Sequence, residues 1–146
     1  MRKRLLLILL CALMLFTGCK PAPVQSVALL DFLGNAALND FIAQFESNFP
    51  QGVVACYQTV AGATYNTAND AVTIQSVIDA LINMQVQGKK GSGHTDDYLT
   101  YYFVLADGTT VGNITFQTDM LLSDIMDLYE VTGYGALVNA LPPPQP

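Results

Sequence analysis

The stretch YLTYYFVLADGTTVGNITFQ, residues 98–117, holds two apolar runs on either side of the dipeptide Asp107-Gly108. Asp-Gly between alternating apolar residues is the strongest short-range sequence signal for a β-hairpin. A two-residue turn pairs Ala106 with Thr109, and this pairing sets the register of both strands. In that register one side of the two strands is apolar and the other is mixed, so the turn and the apolar pattern agree. The sequence therefore predicts an antiparallel hairpin here rather than a helix.

The two faces of this predicted hairpin differ in polarity. The pairs on the apolar face are Leu99 with Phe116, Tyr101 with Ile114, and Phe103 with Gly112. The second face carries Tyr, Thr, Asn and Gln side chains beside Val104 and Val111, and such an amphipathic surface suits contact with a protein or a glycan. If helices covered this face, or if it were only solvated, it would have no binding role. Gln117 also lies on this face, and the residues predicted to bind there are Tyr98, Thr100, Tyr102, Asn113 and Thr115.

Regular patterns lie on both sides of the hairpin. The predicted helices have apolar residues every three to four positions, and Pro, Gly or capping residues bound them. The predicted elements are a helix over 27–49 with a possible break at Gly34-Asn35, a strand over 52–59, a loop or weak strand over 61–69, a helix over 71–86, a polar Gly-rich loop over 87–97, a strand or short helix over 120–127, a strand over 128–132 and a helix over 134–141.

The predicted elements together indicate a fold class. The second helix has two possible starts: a cap at Asn69 or Asp70, or, after a strand that ends at Ile74, a cap at Ser76. In either case the helices and the antiparallel hairpin occupy separate stretches of the chain. This order predicts an α+β fold with helices packed on one face of a small antiparallel sheet. We expect a single folded domain over residues 27–141.

The first 19 residues have the pattern of a secretory signal. Three basic residues precede an apolar run over 5–16, which is too short to cross the ~30 Å hydrocarbon core of a membrane. The segment Leu15-Phe16-Thr17-Gly18-Cys19 resembles the lipobox of bacterial lipoproteins, although Phe16 is an unusual residue at its position. The alternative is a plain secretory signal with a chance cysteine.

The lipobox resemblance implies cleavage before Cys19 and lipid on that cysteine. Several acyl chains would anchor the protein stably, since one chain alone binds a membrane only marginally. The expected location is the extracytoplasmic face of the cell membrane or the outer membrane. The resulting divisions are a signal peptide over 1–18, the lipidated Cys19 and a Pro-containing tether over 19–26, the domain over 27–141 and a Pro-rich tail over 142–146.

A second resemblance concerns the body of the chain. A helix followed by a hairpin with the sequence Phe103-Val-Leu-Ala-Asp-Gly-Thr109 resembles small domains in surface lipoproteins of Gram-positive gut bacteria. This resemblance covers about residues 70–141 and implies no activity.

Removal of residues 1–18 changes the charge and the cysteine content of the chain. Three lysines and no arginine remain against twelve acids, a formal charge of −9. Such a surface lacks the clustered Lys and Arg that nucleic-acid binding needs. Cys11 leaves with the signal and Cys19 takes lipid, so Cys56 has no partner for an intrachain disulfide. The sequence predicts membrane contact through the lipid, no nucleic-acid partner and no cofactor.

Two groups of residues could carry chemistry. Cys56 and His94 are the single Cys and His left beyond the lipidated residue, and such a pair can act as nucleophile and base. No hydrolase motif surrounds Cys56, and its apolar neighbours favour a buried side chain. His94, Asp96 and Asp97 offer metal-binding atoms, but adjacent carboxylates point to opposite sides of an extended chain. The sequence therefore predicts no catalytic residue and no metal site.

The expected function follows from the anchor and the polar face. We expect a lipid-anchored extracytoplasmic protein with a binding or scaffolding role, whose partner is an envelope protein or a glycan. The alternatives are a small lipoprotein hydrolase that uses Cys56 and His94, and a non-catalytic subunit of an envelope complex.

Overall fold

The computed structural model describes residues 25–47, 53–59, 63–92 and 98–141. Within these ranges the chain forms an antiparallel sheet and four helices, which agrees with the predicted α+β class. The strands are β1 (Val27–Ala28), β2 (Val54–Thr59), β3 (Thr64–Ala68), β4 (Gln85–Ser92), β5 (Leu99–Val104), β6 (Thr110–Gln117), β7 (Met120–Leu122) and β8 (Asp127–Thr132). The helices are α1 (Leu29–Leu33), α2 (Ala36–Ser47), α3 (Ala71–Asn83) and α4 (Tyr134–Ala140).

The sheet has eight strands in the order β1-β4-β8-β7-β6-β5-β2-β3. The expectation of a small sheet is therefore wrong in size. Strands β5 to β8 follow one another as a meander, while β2 joins the far side of β5 with Val54 opposite Val104. The predicted hairpin thus forms the middle of the sheet, where both of its strands have a partner on each side.

Residues 87–97 include most of strand β4, although their polarity and glycines predict a loop. Strand β4 pairs with β8, and two salt bridges join the strands: Lys89 Nζ lies 2.8 Å from Asp127 Oδ2, and Lys90 Nζ lies 2.7 Å from Glu130 Oε2. Hydrogen bonding to Asp127 also raises the pKa of Lys89 above its usual value. Because these polar side chains have partners on β8, the strand needs no alternation of apolar residues. The segment over 120–127 likewise forms strand β7 and a turn rather than a helix.

Helix α3 begins at the first of its two predicted starts. The Asp70 carboxylate accepts a hydrogen bond of 2.8 Å from the Thr73 amide, as an N-cap residue does. The alternative cap at Ser76 is wrong, because the Ser76 hydroxyl donates to the Val72 carbonyl inside the helix. The helix also ends before the predicted residue 86, since Met84 is extended and strand β4 follows it.

The Asp70 cap makes stability depend on pH at the acid end. Its hydrogen bonds, led by those from Thr73, lower the pKa of the Asp70 carboxyl below its usual value of 3.8. A lowered pKa in the folded state adds stability above pH 3.8 that is lost as the pH falls through the lowered value. We expect Asp70→Asn to lower the free energy of unfolding at pH 7, and the difference from wild type to shrink steadily below pH 4 in urea titrations. Asp124→Asn, at an exposed carboxylate outside any helix, is the control. If the difference from wild type shrank equally below pH 4 for both variants, the Asp70 cap would not be the cause.

The hairpin turn is one residue longer than predicted. The Leu105 amide donates to the Thr109 carbonyl at 2.8 Å, and the Gly108 amide donates to the Leu105 carbonyl at 2.9 Å. Residues 106–108 therefore form a three-residue loop, in which Gly108 has a φ of +84° that suits glycine. The predicted pairing of Ala106 with Thr109 is consequently wrong.

A β-bulge in β6 offsets this extra residue. The register shifts between Tyr101, which pairs with Ile114, and Phe103, which pairs with Val111 rather than with the predicted Gly112. The bulge leaves Gly112 and Asn113 together opposite Tyr102, with φ values of +101° and +49°. Beyond it the predicted pairs Tyr101–Ile114 and Leu99–Phe116 are confirmed. The shift also buries Val111, which the shorter turn would have placed on the polar face.

Helices α2 and α4 contact the apolar side of the hairpin. The Phe41 ring of α2 lies 4.7 Å from that of Phe103, and the Tyr134 ring of α4 lies 4.9 Å from that of Phe116. Helix α1 ends at Gly34, whose left-handed φ of +58° confirms the predicted break before α2. The largest fully buried side chains are Phe103, Phe116, Leu29, Leu38, Ile74, Ile78, Leu81, Met84, Ile114, Leu121 and Leu137.

Candidate functional site

The candidate site is the outer face, which we define as the side of β5 and β6 that carries the predicted residues Tyr98, Thr100, Tyr102, Asn113 and Thr115. Along a strand successive side chains point to opposite sides. Since Tyr101 and Phe103 are buried on the side that contacts α2, the residues that alternate with them along this stretch belong to the outer face. Four of the five predicted residues are half-buried and Asn113 is exposed.

A direct hydrogen bond joins two of these residues across the strands. Thr100 and Thr115 pair in the register, and their Oγ1 atoms lie 2.9 Å apart. Cross-strand Thr pairs of this kind stabilise a sheet. Each hydroxyl retains further capacity to donate or accept, because a hydroxyl has one donor and two acceptor sites. The pair therefore fixes the geometry of two hydroxyls at the centre of the outer face.

Tyr102 and Asn113 lie at the bulge, so they do not form the one-to-one pair that a regular register would give. The Tyr102 hydroxyl reaches the hydroxyl of Thr64 on β3 at 3.4 Å, so it extends across β2 toward the sheet's edge. Asn113 has a left-handed φ, which Asn tolerates better than most residues, and its side chain is exposed. The bulge therefore separates an anchored tyrosine from an exposed amide.

A hollow of about 190 Å³ lies at the other end of the outer face. Tyr98 and Thr115 line it together with Ser123 and Asp124 from the turn between β7 and β8. That turn is fixed by hydrogen bonds at both ends: the Ser123 amide donates to the Asp127 carbonyl at 2.9 Å, and the Asp127 amide donates to the Ser123 hydroxyl at 3.1 Å. Sequence reasoning missed Ser123 and Asp124, because they reach the face through a turn whose position depends on the pairing of β7 with β8.

The ionisable groups in the structure are mostly acids. Lys89 and Lys90 are the lysines of the described ranges, and both are paired with acids of β8. Burial raises the pKa of the Tyr134 hydroxyl above its usual value of 10, against the opposing effect of a hydrogen bond with Tyr101. That tyrosine pair lies on the apolar side of the sheet. The outer face therefore presents neutral hydroxyl, amide and aromatic groups beside one exposed carboxylate, that of Asp124.

The other predicted groups lie wholly or partly outside the described residues. Cys19, His94, Asp96 and Asp97 fall outside them, so the lipid anchor, the Cys–His pair and the metal trio stay predictions. Cys56 is a backbone partner of Tyr102 in β2, but its side chain lies outside the described part. In the ranges that the structure covers, no three His, Cys, Asp or Glu side chains are grouped as metal ligands. No helix in the same ranges has the length and apolarity needed to cross a membrane.

Comparison of the chain with family models, curated proteins and solved structures finds no match.

Proposed function

We propose that this protein is a lipid-anchored extracytoplasmic lipoprotein that binds or scaffolds an envelope partner through its outer face. The observation that supports it best is the row of half-buried hydrogen-bonding side chains on β5 and β6, with the Thr100–Thr115 pair at its centre. Tyr side chains are enriched in the cores of protein interfaces, where an apolar ring and a polar hydroxyl both find partners. A row of this kind suits a protein or a glycan surface.

The lipid anchor rests on the lipobox resemblance around Cys19. The short tether over 19–26 contains two prolines, which favour an extended chain. The mature chain has a formal charge of −9, from three lysines and twelve acids, and anionic headgroups repel such a surface. Both features favour a domain held away from the membrane, with its outer face available to a partner.

Two cysteine variants test the anchor. Cys19→Ser removes the lipidated side chain, so we expect the protein to move from the membrane fraction to the soluble fraction. Cys11→Ser, inside the predicted signal, is the matched control and should leave the protein with the membrane. Membrane association of Cys19→Ser that survives an alkaline wash would refute the lipoprotein assignment.

Site-specific photo-crosslinking tests the outer face. A benzophenone amino acid at position 113, the exposed member of the face, should give discrete adducts in intact cells. The same group at position 72 is the control, since Val72 is 78% exposed on α3. Digestion of the adducts with a protease or with glycan hydrolases identifies the partner as protein or glycan. Equal adduct patterns at both positions, or none at position 113, would rule out this face as the contact.

A further inference from the structure

A larger hollow of about 530 Å³ lies between α2 and the turn of the hairpin. It is separate from the outer face, because Val53 and Val111, which line it, are buried residues of the core. Helix α2 contributes Ala37, Asp40 and Phe41, and the loop of the hairpin contributes Asp107. Its volume lies within the 300–1,000 Å³ that is typical of small-molecule sites.

The floor of this hollow is apolar and firmly packed. Phe41, Val53 and Val111 are all less than one-tenth exposed. The Phe41 ring is held on two sides, 4.7 Å from that of Phe103 and 5.9 Å from that of Phe45. Because these side chains are fixed by core packing, the hollow is formed before any ligand arrives. A preformed apolar floor lowers the ordering cost of binding.

The rim carries two carboxylates, Asp40 and Asp107, both exposed. Asp107 is held in place by the turn, since its Oδ1 accepts hydrogen bonds from the amide of Thr109 at 2.9 Å and from the hydroxyl of the same residue. These two bonds lower the pKa of the Asp107 carboxyl, so it is an anion at neutral pH. The Asp107 side chain is exposed at the rim, so its carboxylate is accessible to a ligand.

No basic side chain of the described ranges balances this rim. In the ranges that the structure covers, the basic side chains are Lys89 and Lys90, and both are bound to acids of β8. The remaining basic residues of the sequence are at positions 2–4 and 20. An apolar floor below two carboxylates that pair with no lysine of these ranges favours a ligand with an apolar body and a positive charge.

We infer that this hollow binds a small organic cation, an amine or quaternary ammonium group on a short hydrocarbon or aromatic body. The apolar body would cover Phe41, Val53 and Val111, and the cation would lie at the rim between α2 and the loop of the hairpin. The inference is independent of the proposed role of the outer face.

Three probes of similar shape and different charge test the ligand class. The full chain is reconstituted in nanodiscs of zwitterionic lipid, and saturation-transfer NMR measures benzyltrimethylammonium, benzyl alcohol and phenylacetate against empty nanodiscs. We expect saturable binding of the cation, weaker binding of the alcohol, and binding of the anion at least about tenfold weaker than that of the cation, since like charges repel at the rim. Binding of phenylacetate as tight as that of the cation would overturn the inference.

Paired variants locate the binding. Ala37 and Ala36 are both exposed neighbours on α2, but only Ala37 lines the hollow. We expect Ala37→Trp to abolish binding of the cation by filling the hollow, while Ala36→Trp leaves it unchanged. Asp40→Asn should weaken binding by about threefold to fivefold, as loss of one exposed charge pair does, whereas Asp31→Asn on α1 should not.

The same variants test two competing explanations: binding of the cation elsewhere, and a second copy of the chain in the hollow. Identical binding to Ala37→Trp and Ala36→Trp would place the cation elsewhere and overturn the inference. If sedimentation shows a dimer of the unliganded chain that Ala37→Trp alone dissociates, a second copy occupies the hollow and the inference fails. Circular dichroism and thermal unfolding confirm beforehand that each variant is folded.

Discussion

Phe116→Ala should lower the free energy of unfolding by about 3–5 kcal/mol, the usual cost of removing a buried aromatic ring. Phe116 is fully buried in β6, where it pairs with Leu99 on one side and Leu121 on the other. Its ring also lies 4.9 Å from that of Tyr134 and 6.0 Å from that of Tyr101. The substitution therefore leaves a cavity where three strands and α4 meet. Urea unfolding monitored by circular dichroism measures the loss.

Phe32→Ala is the control for this prediction. Phe32 is 36% exposed on α1, and its ring contacts that of Tyr129 at 4.8 Å. Because water already reaches this ring, we expect a loss of about 1 kcal/mol or less. If the two substitutions cost the same, Phe116 would not be a central contact of the core.

The hairpin shows how far local sequence signals reach. The Asp-Gly pair and the apolar alternation predicted two strands in the right place, and the pairs Leu99–Phe116 and Tyr101–Ile114 are correct. The turn length was wrong, because an Asp-Gly pair also fits the end of a three-residue loop with Gly in the left-handed region. The compensating bulge has no sequence signal beyond Gly112 itself, and its position depends on how β6 packs against α2.

The size of the sheet could not be predicted, because it depends on pairings between distant segments. Strand β4 has few apolar residues, and it is a strand because its backbone pairs with β8, some 40 residues away in sequence. The junction of β2 with β5 likewise brings Val54 opposite Val104. Propensity for strands depends strongly on such context. Neither pairing leaves a periodic pattern that a sequence reading could detect.

The two candidate sites also differ in how far the sequence alone could predict them. The outer face follows from alternation along two adjacent strands, so its five residues could be named from the sequence, and the bulge changed only the relation of Asn113 to Tyr102. The hollow beside α2 joins Ala37 to Val111 across the fold. A site built from segments that meet only after folding carries no local signal.

Gly112→Ala should destabilise the protein by about 1–3 kcal/mol, the cost of a side chain in a sparsely populated backbone conformation. Gly112 has a φ of +101°, and a Cβ there would lie 3.5 Å from the Tyr102 Cα, which is ordinary van der Waals contact. The expected loss therefore comes from backbone strain rather than from a clash. If this strain were relieved, the bulge would straighten into a regular strand. The pairing of β5 with β6 between the bulge and the turn would then shift by one residue.

Gly91→Ala separates this strain from a general effect of replacing glycine in a strand. Gly91 also lies at a bulge, in β4, but its φ is outside the left-handed region and a Cβ there would meet nothing within 4 Å. Replacement of glycine at an unstrained position reduces the entropy of the unfolded chain, so we expect a gain of about 0.4–1 kcal/mol. Opposite signs for the two variants in urea unfolding would confirm that the bulge requires Gly112. Equal gains would mean that alanine fits the bulge, and that the offset between the turn and the strands is set by the loop over 106–108 alone.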